Sequence, residues 1–409
     1  MAIEAQSQAL GEILGEALGE APGGRGLSGR RLRLGMVGGG EGAFIGAVHR
    51  IAARLDDTFE LVAGALSAEP EKARRSGAAL GLDPARVYDD FAAMAAAEAA
   101  RPDGIEVVAI VTPNHLHAPA ARAFLAAGID VICDKPLTTT LEEAKALAAL
   151  AESSGLVFAL THNYTGYPLI RQARAMVAAG EIGAVRVVQV EYAQDWLTER
   201  LEDTGHKQAG WRVDPARAGA GGCIGDIGTH AYNLAGFVTG LPVRELLAEL
   251  DTFVPGRRLD DNVQVLLRYA NGAKGFLWAS QVAPGNGNGL ALRVYGDKGG
   301  LEWRQEEPNR LLFSPFGQPT RILTRAGAGA GPEAGRVSRT PAGHPEGYLE
   351  GFANIYAEAA RAIRARRAGL PLDPAVNFPG IAEGVAGLAF IEAAVASSRA
   401  GGVWTRLPA

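Results

Sequence analysis

Short apolar segments alternate with helical segments in the first part of the chain, and this alternation restricts the fold more than any other feature. The predicted strands are residues 31–37, 59–66, 107–111, 129–133 and 156–161. Helices are predicted between them, as at 118–127 and 141–153. Strand and helix units of this length form a doubly wound parallel sheet with right-handed crossovers. The sequence therefore predicts an α/β domain over residues 29–163.

A glycine-rich turn follows the first predicted strand and precedes a helix. Residues 38–46 read Gly-Gly-Gly-Glu-Gly-Ala-Phe-Ile-Gly. In this setting, backbone N–H groups can approach a pyrophosphate at a helix N-terminus, as in dinucleotide-binding Rossmann domains. Compared with the Gly-x-Gly-x-x-Gly spacing, the third glycine, Gly46, comes three residues late. Glu41, Gly42 and Ala43 are therefore interpreted as an insertion.

The end of the second predicted strand bears on the choice of dinucleotide. An acid there would hold the ribose 2′-hydroxyl and select NAD, but the chain has Ser67 and Ala68. No arginine directly follows to bind a 2′-phosphate. Lys72, Arg74 and Arg75 on the next helix could supply charge, or could equally form a solvated helix face. These residues leave NAD and NADP both open, and we expect a preference for NAD.

Polar residues follow three further predicted strands. In an open parallel sheet the ligand lies beyond the carboxyl ends of the strands, so a lysine at such an end points at a site. Lys135, two residues after the strand ending at Cys133, is the strongest candidate for a functional residue. The polar groups at the strand ends are Thr112-Pro113-Asn114 with His117, Asp134-Lys135-Pro136, and His162-Asn163-Tyr164.

After Tyr164 the pattern changes. A helix at 168–179 is followed by alternating strands, which turns such as Asn-Gly and Pro-Gly separate into hairpins. These segments predict a second, α+β domain over 164–409 with a large, mostly antiparallel open sheet. A surface loop is predicted at 326–335. Helices are predicted at 348–367 and 380–398, the last packing back on the first domain. The predicted strands are 185–194, 246–254, 262–269, 273–281, 290–295 and 301–304.

Composition limits the setting in which the chain works. Its 409 residues are too many for one ordinary core. A net charge of -5 gives no reason to expect nucleic acid or an anionic membrane as partner. Two cysteines, Cys133 and Cys223, are too few for a disulfide framework, so a cytoplasmic location is expected.

Residues 1–28 have neither a basic n-region nor a long apolar core, and are interpreted as a flexible tail with one helix around 9–18.

A second cluster lies in the second domain, where residues 225–230 read Gly-Asp-Ile-Gly-Thr-His before an apolar helix. Asp226 and His230 are four residues apart and would share one helix face. A carboxylate beside an imidazole raises the basicity of the ring and orients it, as a general base near neutral pH requires. Cys223 is nearby, but no spacing resembles a zinc site, so no metal is expected.

Together these motifs resemble the Gfo/Idh/MocA oxidoreductases, the family of glucose-fructose oxidoreductase and inositol dehydrogenase. The resemblance covers about residues 31–398 and includes His49, three residues after Gly46. It implies a Rossmann domain followed by a domain whose open sheet covers the nicotinamide and mediates homodimers or homotetramers. The family motif usually reads Glu-Lys-Pro, and this chain has Asp134 in place of the glutamate. The longer glycine turn and the missing ribose acid are the larger departures.

The resemblance also implies roles for individual residues. Lys135 would hydrogen-bond the reacting hydroxyl of a sugar or polyol, His230 would take its proton, and Asp226 would bind a neighbouring hydroxyl and orient His230. His162, Asn163 and Tyr164 could line the substrate pocket. NAD, or NADP, would be bound by Gly38, Gly40, Phe44, Ile45, Ser67, Lys72, Thr112, Pro113, Asn114, His117, Asp134, Lys135, Trp211 and Arg212.

Three functions compete. The first is an NAD(P)-dependent dehydrogenase of a sugar, sugar derivative or cyclitol. The second is an oxidoreductive glycosidase, in which a tightly held NAD oxidises a ring hydroxyl transiently and an aglycone is eliminated. The third is a non-catalytic NAD(P) sensor. The presence of Lys135, Asp226 and His230 argues against a sensor, which has no use for a proton relay.

Overall fold

The computed structural model describes residues 29–408, so the tail and its predicted helix around 9–18 lie outside the described residues. The first domain contains a parallel five-stranded sheet in the order β2-β1-β3-β4-β5. Its strands are β1 (Leu32–Gly38), β2 (Phe59–Ala65), β3 (Val107–Val111), β4 (Asp130–Cys133) and β5 (Phe158–Leu160). Its helices are α1 (Phe44–Leu55), α2 (Pro70–Ala79), α3 (Phe91–Ala99), α4 (His117–Ala126) and α5 (Leu141–Ser154).

The second domain contains a nine-stranded sheet in the order β13-β12-β11-β10-β6-β9-β8-β7-β14. All neighbouring strands in it are antiparallel except β6 and β9, which run parallel at its centre. The predicted α/β and α+β fold class is therefore confirmed. The strands are β6 (Val185–Ala193), β7 (Val243–Asp251), β8 (Asn262–Tyr269), β9 (Lys274–Ser280), β10 (Gly289–Gly296), β11 (Gly299–Arg304), β12 (Arg310–Pro315), β13 (Arg321–Thr324) and β14 (Thr405–Arg406).

Helices of the second half of the chain complete the packing of both sheets. The long helix α11 packs on α1 and on the first sheet, where Phe352 and Tyr356 share a core with Leu34 and Val107. The helix α12 packs between β7 and α5, so it joins the two sheets. These helices are α6 (Pro168–Ala178), α7 (Lys207–Arg212), α8 (Pro215–Ala218), α9 (Thr229–Thr239), α10 (Pro332–Gly335), α11 (Tyr348–Arg367) and α12 (Ile381–Arg399).

Several elements differ from the sequence prediction. The segment 326–335 is not only a surface loop, because it ends in α10, whose Ala334 is fully buried. The backbone N–H of Gly331 donates to Gln172 Oε1 at 2.6 Å, which ties this segment to α6. Gly- and Ala-rich composition hid this contact. Strands β12, β13 and β14 were also missed.

Within residues 29–408 one helix, α12, is long and apolar enough to cross a membrane by length and composition alone. More than half of its apolar window is buried inside the protein. Its contacts with β7 and α5 make it a core helix, since a core helix meets the same criteria of length and hydropathy.

Helix α1 is joined to α11 by a buried histidine. His49 is fully buried, and its Nδ1 lies 2.9 Å from the Tyr356 hydroxyl. Its ring also packs on Phe352, with centroids 5.1 Å apart. Burial lowers the pKa of His49 to about 4, because the charged imidazole would lose its hydration there.

This histidine makes stability depend on pH. Below about pH 6.5 the unfolded chain binds a proton that the folded chain refuses, so stability falls as pH falls from about 6.5 to about 4. At about 1.4 kcal/mol per pKa unit, His49 alone should lower the unfolding free energy by about 3 kcal/mol at pH 4. Urea unfolding at several pH values from 7.5 to 4 measures the slope of the unfolding free energy against pH.

In His49→Phe the slope should be shallower, even though the loss of the Tyr356 contact lowers stability at every pH. His344→Phe, on an exposed loop, is the matched control and should keep the original slope. An unchanged slope in His49→Phe would contradict the assignment.

Candidate active site

The glycine turn has the close packing that a dinucleotide cradle requires. Gly38 and Gly39 have φ of +80° and +72°, values that favour glycine. A Cβ on Gly46 would lie 2.3 Å from the Cα of Gly39, so helix and turn touch through glycines. A Cβ on Gly40 would lie 2.6 Å from the Leu66 carbonyl oxygen. Gly46 therefore takes the place of the third glycine of the Gly-x-Gly-x-x-Gly motif, despite the insertion.

Next to the turn the structure has an open cavity of about 700 Å³. Phe44, the first residue of α1, lines it and is 66% exposed, and Ile45 behind it is partly buried. The free N–H groups at the start of α1 border this space, as an anion site at a helix N-terminus requires. The turn therefore fits the pyrophosphate of a dinucleotide. The cavity is also lined by Gly40, Arg50, Arg75 and Ser76.

Beside the end of β2 the structure places a carboxylate that the sequence analysis did not assign. The Gly40 N–H donates to the Leu66 carbonyl at 3.1 Å, which fixes the turn against this strand end. The next residue, Glu41, donates its N–H to Ser76 Oγ at 3.0 Å, and its carboxylate pairs with Arg75 at 3.6 Å. The insertion in the turn thus supplies an acid where the second strand has none.

The two residues predicted for this corner lie close by. Ser67 lies two residues after the end of β2, and its Oγ accepts the N–H of Glu69 at 3.1 Å. Lys72 lies in the first turn of α2 and is partly buried. Among the described residues, only Arg75 of the three predicted cations on α2 forms an ion pair, and its partner is Glu41.

This pair leads to a prediction on cofactor choice. Glu41→Gln should raise the affinity for NADP about tenfold or more, because it removes a repelling charge and frees Arg75 for a 2′-phosphate. Dissociation constants of NAD and NADP by calorimetry measure the effect. Adding Arg75→Gln should remove the gain, and Glu60→Gln at the other end of β2 is the control. An NADP affinity unchanged by Glu41→Gln would show that Glu41 plays no part.

The loops after β3 and β4 are joined by His117. It is 1% exposed, and its two ring nitrogens lie 2.7 and 2.9 Å from the carbonyl oxygens of Pro136 and Thr112. His117 therefore fixes the peptide next to Lys135, and its predicted contact with the cofactor stays a prediction. Between the loops, Pro113 is partly exposed.

Asn114 and Asp134 connect these loops to other elements. Asn114 Nδ2 donates to the Ala218 carbonyl at 3.0 Å, so it reaches the second domain. Asp134 Oδ1 accepts the N–H of Lys135 at 2.9 Å and the hydroxyl of Thr161 at 3.0 Å. The carboxyl ends of β4 and β5 are thus held together, and the Lys135 side chain leaves from a fixed backbone.

Lys135 meets Asp226 across the two domains. Its Nζ donates to the Asp226 carboxylate at 2.9 Å and to the Asp226 carbonyl oxygen at 2.5 Å. Arg212 Nε and Gln281 Nε2 donate to the second carboxylate oxygen at 3.2 and 2.9 Å. Burial alone would raise the pKa of Asp226, but the charges of Lys135 and Arg212 outweigh burial and hold the pKa well below its usual range. Asp226 is therefore ionised.

Two of the predicted cofactor residues, Trp211 and Arg212, lie next to this cluster. Arg212 binds Asp226, and its guanidinium lies 4.3 Å from the centroid of the Trp211 ring. Both residues belong to α7, and both are partly exposed. Arg212 therefore acts on the catalytic cluster through Asp226, while Trp211 supports its guanidinium.

The helix that carries the second motif is irregular at its start. Residues Ile224–Gly228 form a π-helical turn that continues into α9, where His230 is the second residue. Among residues 29–408 no hydrogen bond joins Asp226 to His230, and the buried Nδ1 of His230 has no partner. The Asp226 carboxylate instead binds Lys135, so the predicted orientation of His230 by Asp226 does not act through a hydrogen bond between them.

The protonation state of His230 also differs from the prediction. Burial and the nearby Lys135 and His162 hold the pKa of His230 well below its usual value, and the opposing effect of Asp226 is smaller. His230 is therefore neutral across the working pH range.

His162 and Tyr164, which follow β5 and were predicted to line the substrate pocket, pack against His230. The rings of His162 and His230 meet edge to face at 5.2 Å, and those of Tyr164 and His230 at 4.9 Å. Burial and the Lys135 charge lower the pKa of His162 to about 3. Asn163 is also buried, at 1% exposure, and within the described chain its Nδ2 has no partner.

Several residues of this region were not found from sequence. Tyr192 at the end of β6 binds the Tyr164 hydroxyl at 2.5 Å and donates to Asn288 Oδ1 at 2.7 Å. Asn288 precedes β10, and Gln281 follows β9. The only signal available was that each is a polar residue at the end of a strand, and the pairing of the strands was needed to bring them together.

Comparison with known proteins agrees with this geometry. A family model described as an oxidoreductase family with an NAD-binding Rossmann fold matches residues 32–162. A second, for the Gfo/Idh/MocA C-terminal domain, matches residues 170–302. The chain belongs to the Gfo/Idh/MocA family of oxidoreductases, as its motifs predicted, and its first domain binds NAD.

Individual relatives cover most of the chain. The crystal structure of an oxidoreductase from Sinorhizobium meliloti is 61% identical, with a TM-score of 0.84 over 92% of this chain and 99% of that one. An inositol dehydrogenase homologue from Azotobacter vinelandii, in complex with NADH and myo-inositol, is 39% identical, with a TM-score of 0.87 over 92% and 98%. The levoglucosan dehydrogenase of Pseudarthrobacter phenanthrenivorans is 30% identical over 69% of this chain and 76% of its own.

Proposed function

We propose that this oxidoreductase oxidises a ring hydroxyl of a cyclitol or cyclic sugar with NAD. The observation that carries the proposal is the Lys135 ammonium at the end of β4, held by the ionised Asp226 and surrounded by neutral histidines and tyrosine hydroxyls. Such a cluster suits a substrate with several hydroxyl groups. The relatives that act on or bind myo-inositol and levoglucosan support this substrate class.

The residues of the chain divide the work. Lys135 Nζ donates a hydrogen bond to the reacting hydroxyl oxygen and stabilises the negative charge that develops on it. The neutral imidazole of His230 accepts the hydroxyl proton, and the Asp226 carboxylate offsets the charge of the resulting imidazolium. NAD, when bound, supplies the hydride acceptor. Burial of Lys135, His162 and His230 keeps water out of the cluster.

A substrate panel tests the proposal. Purified protein is mixed with NAD and with cyclitols, free sugars, anhydrosugars and glycosides, and both NADH and released aglycone are measured. We expect NADH from at least one ring polyol. Aglycone release without net NADH would instead show the oxidoreductive glycosidase reaction. NAD binding with neither product from any member of the panel would overturn the proposed substrate class.

We also propose that the protein forms a homodimer or homotetramer in the cytoplasm. Cross-strand register places Val187, Leu266, Phe276 and Tyr295 on one face of the second sheet, and all four are 37–45% exposed. A second copy of the chain would cover this face. The free, buried cysteines Cys133 and Cys223 suit a reducing compartment.

Light scattering tests the assembly. Leu266→Asp with Phe276→Asp should give a monomer, because two charges in the centre of an apolar interface remain unpaired. Ala146→Asp with Ala149→Asp, at exposed positions of α5 outside this sheet, is the control. A mass of one chain for the unmodified protein would contradict the proposal.

A further inference from the structure

Asp260 holds the start of the helix that carries Asp226 and His230. It lies just before β8 and is 8% exposed. Its two carboxylate oxygens accept the N–H groups of Gly222 and Ile224 at 2.6 and 2.8 Å. Its carbonyl oxygen accepts the N–H of Cys223 at 2.8 Å. One residue thus binds three successive N–H groups.

These contacts reach the catalytic carboxylate through a single further bond. The Gly222 carbonyl accepts the N–H of Asp226 at 2.9 Å, so the residue that Asp260 binds also fixes the backbone of Asp226. A Cβ on Gly222 would lie 2.3 Å from the Asp260 carbonyl oxygen, so the segment packs directly on Asp260. The π-helical turn begins only two residues later.

The surroundings of Asp260 contain few charges. Asp261 is next to it, but it is paired with Arg257 at 3.2 Å, and Arg257 also binds Glu202 at 3.0 Å. The buried Cys223 thiol is near enough to both Asp260 and Asp226 that their charges, added to burial, raise its pKa. Burial, with a smaller effect of Asp261, raises the pKa of Asp260 to about 6, although the two backbone N–H groups favour its ionised form.

We propose that Asp260 is a positioning residue whose ionised carboxylate sets the place of Asp226 beside Lys135, and that its protonation loosens this segment. A protonated carboxyl has converted one of its acceptor oxygens into a donor, so it cannot hold both N–H groups equally well. The fall of the reaction rate at acidic pH then results from protonation of Asp260, because His230 is already neutral in this pH range. This kinetic consequence rests on the proposed function.

The first test does not depend on a substrate. Cys223 is fully buried beneath the Asp260 contacts, whereas Cys133 is fully buried in β4, so each chain contains its own reference thiol. The protein is labelled with 4,4′-dithiodipyridine from pH 7.5 to pH 5, and mass spectrometry of peptides gives the rate at each cysteine. The Cys223 to Cys133 ratio should rise about tenfold between these pH values as Asp260 protonates.

In Asp260→Asn the amide presents a donor to one of the two N–H groups, so the ratio should be high already at pH 7.5 and independent of pH. Asp214→Asn changes another helix-capping aspartate and should behave like the unmodified chain. A constant ratio in the unmodified chain, or a normal ratio in Asp260→Asn, would overturn the proposal.

The second test uses a substrate found by the panel. The kcat of the unmodified enzyme should fall about tenfold between pH 7 and pH 5, whereas Asp260→Asn should have a low kcat at pH 7 without this limb. The dissociation constant of NAD should be unchanged, because Asp260 lies away from the glycine turn. If kcat of Asp260→Asn still falls between pH 7 and pH 5, the proposed kinetic role of Asp260 is overturned. If no substrate is found, the thiol test still decides the structural part.

Discussion

Lys135→Met should lower kcat by about 10² to 10⁴ while the dissociation constant of NAD stays within about threefold of its original value. The side chain is 12% exposed, and its ammonium is the cation that faces the hydroxyl in the proposed reaction. Methionine keeps most of the volume but neither the charge nor the donors, so the loss falls on the transition state. Steady-state rates with the substrate from the panel and calorimetry with NAD measure the two quantities.

Lys274→Met is the control, since this lysine is exposed at the start of β9 and away from the cluster. It should leave both quantities unchanged. A Lys135→Met enzyme within about tenfold of the original kcat would remove Lys135 from the mechanism. A large loss of NAD binding would instead move its role from the hydroxyl to the cofactor.

Asp226→Ala should lower the unfolding free energy by about 3–5 kcal/mol, because it leaves Lys135 and Arg212 without a counter-charge in a mostly buried site. The Asp226 side chain is only 17% exposed, so water replaces the carboxylate poorly. Urea unfolding at pH 7.5 measures the change. Asp203→Ala, which breaks an exposed pair with Arg200, should cost less than about 1 kcal/mol.

The double variant Lys135→Met with Asp226→Ala distinguishes loss of the Lys135–Asp226 ion pair from a general loss of stability. Removing both charges should cost less than the sum of the two single changes, because the uncompensated ammonium is then absent. Strictly additive losses would show that Asp226 supports the fold through Arg212 and Gln281, with no energetic coupling to Lys135.

The part of the site that lies at strand ends was accessible from sequence. Lys135, His162 and Tyr164 each follow a buried strand, and the order of elements places such positions on one edge of the sheet. The structure places His162 and Tyr164 against His230. The glycine turn was also recognisable, because its strand and helix neighbours are adjacent in the chain.

The contacts between distant segments could not be predicted. Lys135 and Asp226 are 91 residues apart, and Asp226 and Gln281 are 55 apart, so no local pattern reports these bonds. The π-helical turn reversed the expected pairing of Asp226 with His230, and a spacing of four residues does not reveal it. The parallel placement of β6 and β9 was hidden for the same reason, since hairpin-type turns surround both strands.

The packing of α11 on the first sheet sets the order in which the protein can fold as it is made. His49 and Tyr356 are 307 residues apart, so at roughly 5–20 residues per second their contact waits roughly 15–60 s after His49 is synthesised. Until then the face of the first sheet that contains Leu34 and Val107 has no helix α11 to cover it. The nascent domain therefore carries an open apolar surface on the ribosome, and it is most prone to aggregation during this interval.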